Sequence, residues 1–133
     1  MRNKNTTLLY KWFQEVWNNG NREAIDGLVT ENVIVNGLGP ERFIKGKEAF
    51  KKFYDEFRQQ VNDVKVEVAD VLSQDDMETA LCHVTAVHTA SKKKVDFSGL
   101  CMVRVQDGKI AEGWNHYDFL RMYQQAGYAL TMI

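Results

Sequence analysis

Apolar residues in the first half of the chain recur at steps of three and four, the period of an amphipathic helix. Such a stripe predicts a helix over residues 5–19, and a shorter stripe predicts a second helix over residues 22–29. Val33 to Val35 then predict a short strand. The clearest helical period lies between Lys47 and Gln60, where four aromatic residues share one face. Three helices are therefore expected before the first long strand.

The second half of the chain changes to a period of two, which is typical of half-buried strands. Residues 64–68 alternate strictly, and further strands are predicted over residues 78–89, 95–105 and 109–118. A short final helix is expected from Phe119 to Ala126. Helices followed by an antiparallel meander predict an α+β fold, and 133 residues suit one domain spanning 1–133.

The last hairpin, around residues 106–108, decides which side chains face inward, and two registers are open. A two-residue loop pairs Cys101 with Trp114. A three-residue loop, with Gly108 in a bulge, pairs Cys101 with Gly113. Because glycine suits the left-handed position of such a bulge, the second register is favoured.

One face of this predicted hairpin combines small apolar residues with one amide and one phenol. Its members are Phe97, Gly99, Cys101, Val103, Ala111, Gly113, Asn115 and Tyr117. The opposite face mixes charged residues with Leu100, Met102, Ile110 and Trp114. A mixed face of that kind suits a subunit interface, so a homodimer is expected.

The charge balance argues against nucleic acid as a partner. Seventeen basic and 18 acidic residues give a net charge of −1, whereas a nucleic-acid-binding domain normally carries a basic stripe. The one basic cluster, residues 92–94, is expected to be a solvated hairpin tip.

The remaining composition sets the expected compartment and cofactors. Two cysteines inside apolar strands predict free thiols, which favours a reducing, cytoplasmic location. No signal peptide and no membrane span are predicted. The three histidines lack metal-ligand spacing, and there is no phosphate loop or dinucleotide fingerprint, so neither a metal nor a cofactor is expected.

Several motifs resemble SnoaL-like polyketide cyclases within the nuclear transport factor 2-like superfamily. Residues 107–118, DGKIAEGWNHYD, are similar to the family's last hairpin, and residues 124–127, QQAG, are similar to the end of its final helix. Residues 20–25 and 46–50 resemble its first inter-helix turn and the start of its third helix. The resemblance implies a cone-shaped, curved antiparallel sheet with three N-terminal helices and a short C-terminal helix around an apolar pocket.

The same resemblance places the catalytic positions of related enzymes on this chain. The acid/base aspartate of the cyclases matches Asn115, and an amide cannot carry a proton at neutral pH. The base and the oxyanion-hole pair of ketosteroid isomerases match Asn36, Phe13 and Cys101. Neither reaction is therefore expected to be carried over intact.

The expected site binds a small, largely apolar carbonyl compound of polyketide or steroid size. Asn115 and His88 are the candidate catalytic residues, since an amide can bond an enolate oxygen and an imidazole titrates near neutral pH. The candidate ligand contacts are Phe13, Trp17, Asn36, Tyr54, Cys101, Gly113 and Tyr117. Enolisation, cyclisation or isomerisation would suit such a site; a non-catalytic ligand-binding or dimerisation module is the alternative.

Overall fold

A computed structural model describes residues 3–133, and in this part of the chain four α-helices accompany one sheet. The helices are α1 (Leu8–Trp12), α2 (Ala24–Leu28), α3 (Lys47–Gln60) and α4 (Phe119–Ala126). A 3₁₀ turn, Lys4–Thr6, precedes α1. A π-helical turn follows α1 directly and is called here the π segment (Phe13–Asn18).

The six strands form one curved sheet. They are β1 (Val29–Asn36), β2 (Phe43–Lys45), β3 (Val61–Gln74), β4 (Met77–His88), β5 (Lys94–Gln106) and β6 (Lys109–Tyr117). Their spatial order is β2-β1-β6-β5-β4-β3. The predicted α+β fold is confirmed, although β1 pairs with β6 in parallel and all other neighbours are antiparallel.

The first predicted helix differs from the observed backbone. It begins at Leu8, where the Thr7 side chain accepts a hydrogen bond from the Tyr10 N–H, and changes to π geometry at Phe13. The amide of Asn18 bonds both main-chain groups of Val66 on β3, at 2.9 and 2.6 Å. These two bonds tie the end of the π segment to the sheet. By contrast, α3 has the predicted bounds of residues 47–60.

The favoured three-residue loop of the last hairpin is wrong, whereas the two-residue alternative is right about the loop and wrong about the pairing farther along the strands. The loop has two residues, Asp107 and Gly108, with φ of 52° and 76°, which are the positive angles of a type I′ turn. Ile110 pairs with Val105 next to this turn. A one-residue bulge at Ala111 then shifts the pairing along β6.

The bulge restores part of the predicted face assignment. Beyond it Cys101 pairs with Asn115, so Gly113, Asn115 and Tyr117 share the inner face with Cys101 as expected. Ile110 was predicted to face outward, but it is buried and points inward because it lies on the other side of the bulge.

Buried polar groups fix the helices over the inner face of the sheet. Glu78 on β4 accepts hydrogen bonds from the main-chain N–H groups of Leu8 and Leu9 at 3.2 and 2.8 Å, and so holds the start of α1. Lys47 at the start of α3 donates to the Asp26 carbonyl and to Glu31, both at 3.0 Å. The core lies between these helices and the sheet. Over residues 3–133, no helix has the length and apolar character needed to cross a membrane.

Candidate functional site

The helices and the inner face of the sheet line an apolar, half-open cavity of about 80 Å³. Six aromatic side chains from α1, the π segment and α3 form one wall: Trp12, Phe13, Trp17, Phe50, Phe53 and Phe57. Valines and Ile110 from the sheet form the facing wall, and Phe119 of α4 joins the two. Apart from the indole N–H groups, the polar groups at the cavity belong to Cys101, Asn115 and Tyr117. None of the described lining residues carries a formal charge.

The π segment directs Phe13 and Trp17 into this cavity. Tyr54 on α3 donates its hydroxyl proton to the Val16 carbonyl at 2.7 Å, and Arg58 donates to the Trp17 carbonyl at 3.2 Å. The Tyr54 ring also packs on Trp17, with 4.9 Å between centroids. Tyr54, predicted to contact a ligand, therefore lies behind Trp17 and does not line the cavity. The Tyr54 ring supports the Trp17 side chain, which lines the cavity.

Two predicted site residues, Asn36 and Asn115, meet where β1 runs beside β6. The Asn115 amide donates to the Asn36 carbonyl at 3.0 Å, and the Asn36 amide donates to the Gly113 carbonyl at 2.9 Å. Asn115 lines the cavity, whereas the Asn36 side chain is turned toward the backbone of β6. Within the described residues, one N–H of Asn115 and its amide oxygen stay available to a ligand.

The close approach of β1 to β6 requires a glycine after Asn36. Gly37 has φ of +87°, and a Cβ placed there would collide with the Asn115 carbonyl oxygen. Only glycine can adopt this positive φ while its Cα lies so close to the Asn115 carbonyl oxygen. Gly37 therefore helps to set the position of Asn115 at the cavity wall.

Tyr117 lies on the inner face of β6, with its ring over Gly99 of the neighbouring strand. A Cβ at Gly99 would collide with that ring and would lie 2.7 Å from the His116 carbonyl oxygen. Burial raises the pKa of the Tyr117 phenol well above its ordinary value, and the thiols of Cys101 and Cys82 raise it further. The phenol is therefore a neutral O–H donor at physiological pH.

The two cysteines are free and buried beside Tyr117. Burial raises the pKa of the Cys82 thiol to about 11, although its interaction with the Tyr117 hydroxyl lowers it in part. Burial, with a smaller effect of Cys82, raises the pKa of Cys101 even more strongly. Because the thiolate is the nucleophilic form, Cys101 is suited to line the cavity and not to attack a substrate.

His88 lies away from the cavity, at the end of β4. Its Nδ1 is 2.8 Å from the Ser91 hydroxyl, and its ring meets Tyr128 edge to face at 5.7 Å. The sequence predicted His88 as a candidate catalytic residue of the pocket. In the structure Ala86 pairs with Val95, so His88 begins the turn instead.

The sequence-based site residues omitted most of the aromatic wall. Trp12, Phe50, Phe53, Phe57 and Phe119 line the cavity but were not among the predicted ligand contacts. The helical period of α3 was the available signal, since the face that packs on the sheet also borders the cavity. Within residues 3–133, no group of three His, Cys, Asp or Glu side chains is placed to hold a metal ion.

Comparison with known proteins gives one consistent result. The sequence profile of SnoaL-like polyketide cyclases matches residues 7–126. A proposed polyketide cyclase from Bacillus cereus ATCC 10987 is 33% identical, with a TM-score of 0.79 over 90% of this chain and 78% of its own. Among curated proteins, none matches the chain.

More distant structures share the fold. A proposed SnoaL-like polyketide cyclase from Jannaschia sp. CCS1 has a TM-score of 0.84 at 17% identity, over 98% of this chain and 99% of its own. A hypothetical protein with a ketosteroid isomerase-like fold from Catenulispora acidiphila DSM 44928, solved with trimethylamine, has a TM-score of 0.83 at 13% identity. That match covers 96% of this chain and 98% of the other.

Proposed function

The chain belongs to the SnoaL-like polyketide cyclase family, and from this premise we propose that its cavity binds a small, uncharged carbonyl compound. The observation that carries the proposal is the chemistry of the wall. Apolar side chains surround three neutral polar groups, those of Cys101, Asn115 and Tyr117. Apolar pockets with a few convergent polar groups are the usual form of small-molecule sites.

Tyr117 and Asn115 supply the contacts to the ligand oxygen in this proposal. The phenol interacts with the Cys82 thiol, which is a weak hydrogen-bond partner, so a ligand oxygen competes with it at little cost. Asn115 offers its second N–H from the same strand, two residues away on the same face. Two neutral donors can stabilise the negative charge that develops on an enolising carbonyl.

Any reaction at this site would need a proton acceptor other than Asn115. The family position for the acid/base is an amide here, and His88 lies outside the cavity. The proposal is therefore binding and polarisation of a carbonyl, with enolisation, cyclisation or isomerisation as the classes of reaction that such polarisation favours. The two buried free thiols also favour a reducing compartment as the location of the protein.

Native mass spectrometry of the purified protein, followed by calorimetry with the bound compound or a panel of ketones, tests the proposal. Tyr117→Phe and Asn115→Ala should each weaken binding of a ketone by about fivefold to tenfold, since each removes one neutral hydrogen bond. His116→Ala is the matched control, because His116 is the exposed neighbour of both residues. If all three variants bind ketones like the wild type, the proposed contacts are wrong.

The outer face of the sheet favours dimerisation as a second function. Leu81 and Leu100 pair across β4 and β5 and are 46% and 51% exposed, and Met102 beside them is 38% exposed. Contiguous apolar surface of this kind is typical of protein interfaces. We expect light scattering to show a homodimer that Leu100→Lys disrupts, while Leu130→Lys, at an exposed position outside the sheet, leaves it intact. A wild-type monomer at millimolar concentration would contradict this function.

A further inference from the structure

The orientation of the Asn115 amide is fixed by its partner on β1. The main-chain oxygen of Asn36 can only accept a hydrogen bond, so the Asn115 atom 3.0 Å from it is the donor, Nδ2. The flipped amide would place two oxygen atoms against each other. The side-chain oxygen of Asn115, Oδ1, therefore lies on the branch of the amide that points away from the Asn36 oxygen.

This oxygen has no donor within the protein. Among the described residues, the bond to Asn36 is the single hydrogen bond of the Asn115 side chain. Asn115 is only 8% exposed and lines the cavity from the inner face of the sheet. No side-chain oxygen that is sealed inside the described part of the chain lacks a partner. Oδ1 is therefore not sealed, and it borders the space of the cavity.

A buried amide oxygen discriminates between ligands that can and cannot donate to it. A ligand without a donor covers Oδ1 and separates it from water, and an acceptor left unpaired in an apolar wall is unfavourable. A ligand with an O–H group in reach satisfies the same oxygen. The difference between the two ligands is larger than one ordinary hydrogen bond contributes, because the first ligand leaves a polar atom unpaired.

The other polar side chains at the cavity are weaker acceptors or serve as donors. The indoles of Trp12 and Trp17 can only donate, and the thiol of Cys101 is a weak acceptor. The Tyr117 hydroxyl donates to the carbonyl oxygen in the proposed function. Among the described lining side chains, Oδ1 of Asn115 is therefore the strongest acceptor for a ligand.

We propose that the ligand carries a hydroxyl group within one or two carbons of its carbonyl, and that Oδ1 of Asn115 accepts a hydrogen bond from this hydroxyl. The inference rests on the proposed function, because it narrows the ligand class of the same cavity. In that function the carbonyl oxygen accepts from Tyr117 and from the free N–H of Asn115. Oδ1 and this N–H belong to one amide group, so the hydroxyl must lie close to the carbonyl. Asn115 is then the residue that selects hydroxy ketones over simple ketones.

NMR titration with two matched pairs of ketones tests the inference. Hydroxyacetone is compared with butanone, and 4-hydroxy-2-butanone is compared with 2-pentanone. Within each pair, a hydroxyl group replaces a methyl group of similar size. An apolar wall alone would favour the methyl member by roughly fourfold, which is the gain from burying one such group. We expect the wild type instead to bind the hydroxy member of at least one pair about fivefold more tightly.

Two Asn→Leu variants assign the preference to Asn115. Asn115→Leu should weaken all four ketones and reverse the order, so that the methyl member binds more tightly in both pairs. Asn36→Leu is the matched control. It removes the 2.9 Å bond from the Asn36 side chain to the Gly113 carbonyl but keeps the main-chain oxygen to which Asn115 donates, so the wild-type order should remain. If Asn115→Leu does not fold, the order within the two pairs in the wild type decides the question.

The outcomes separate this inference from the proposed function. Equal or tighter wild-type binding of the methyl member in both pairs would overturn the inference and leave carbonyl binding in place. A hydroxyl preference that survives in Asn115→Leu, or that disappears in Tyr117→Phe, would do the same. Tyr117→Phe should instead weaken both members of a pair by one factor, since it removes a contact to the carbonyl that they share. Failure of all four ketones to bind would overturn both proposals.

Discussion

The side-chain amide of Asn115 is hydrogen-bonded to the main-chain oxygen of Asn36, at 3.0 Å. In return, the Asn36 amide donates to the carbonyl of Gly113, two residues before Asn115 on β6. These two side-chain hydrogen bonds therefore connect the parallel strands β1 and β6 at the position where Asn115 lines the cavity. In this position Asn115 has a structural role that an acid/base residue could not fill without loss.

Asn115→Asp should destabilise the protein at neutral pH. An ionised carboxylate would lose the N–H donor, face the Asn36 oxygen, and lie in an apolar wall, so its pKa should be raised above the usual value of about 3.9. The folded state would then bind a proton more tightly than the unfolded state, and stability would fall as the pH rises above about 4. We expect a deficit of about 2–3 kcal/mol at pH 7 and a smaller one at pH 4.

Urea unfolding of wild type and variant at both pH values measures this deficit. Asn62→Asp introduces the same charge at an exposed position and should lose much less stability. Equal deficits of Asn115→Asp at pH 4 and pH 7 would show that charge burial is not the cause.

Gly99→Ala should be far more damaging than Gly113→Ala. A Cβ at Gly99 collides with the Tyr117 ring, whereas at Gly113 the nearest atom, Val103 Cγ1, is an ordinary 3.6 Å away. Gly99→Ala must displace Tyr117, and we expect a loss of about 2–4 kcal/mol in unfolding free energy together with weaker ketone binding. Thermal and chemical unfolding of the pair, compared with wild type, checks the difference. Similar stabilities of the two variants would mean that the Tyr117 ring is free to move.

The sequence predicted the helices and strands better than it predicted which side chains face the cavity. Periodicity was enough for α3 and β4, because their apolar faces follow one repeat throughout. The bulge at Ala111 was not predicted, since a single extra residue leaves no compositional mark. It decides, however, that Ile110 and Asn115 lie on the same face.

Only some of the residues at the cavity could be predicted from the sequence. Phe13, Trp17, Cys101, Asn115 and Tyr117 do line one cavity. Tyr54 and His88 do not, because their placement depends on long-range contacts. The Tyr54 hydroxyl is drawn to a carbonyl of the π segment, and His88 is placed by the strand pairing. Neither interaction has a local signal in the sequence.

Tyr54→Phe should loosen the π segment and move Trp17. The change removes the 2.7 Å hydrogen bond to the Val16 carbonyl and leaves that buried acceptor without its side-chain donor. We expect a loss of about 1–2 kcal/mol in unfolding free energy and a change in tryptophan fluorescence of the folded protein. Tyr10→Phe, at a phenol that is only partly buried, is the control and should alter neither. Unchanged fluorescence in Tyr54→Phe would mean that ring packing alone positions Trp17.

The buried thiols should make the protein less stable in alkali. The Cys82 thiol keeps its proton in the folded state up to a pH of about 11, whereas its ordinary pKa is 9.0. The folded state therefore binds more protons between these values, and the free energy of unfolding falls as the pH rises through this window. The rise of the Cys82 pKa from 9.0 to about 11 corresponds to about 2–3 kcal/mol.

Cys101 and Tyr117 act in the same direction, because burial raises both of their pKa values. Cys82→Ala isolates one of the three groups. Its unfolding free energy, measured in reducing buffer from pH 7 to pH 11, should fall less steeply than that of the wild type above pH 9. A slope that matches the wild type would contradict the burial of the Cys82 thiol as a source of the alkaline instability.

A chain whose thiols stay protonated should also resist alkylation until it unfolds, because only the thiolate reacts at a useful rate.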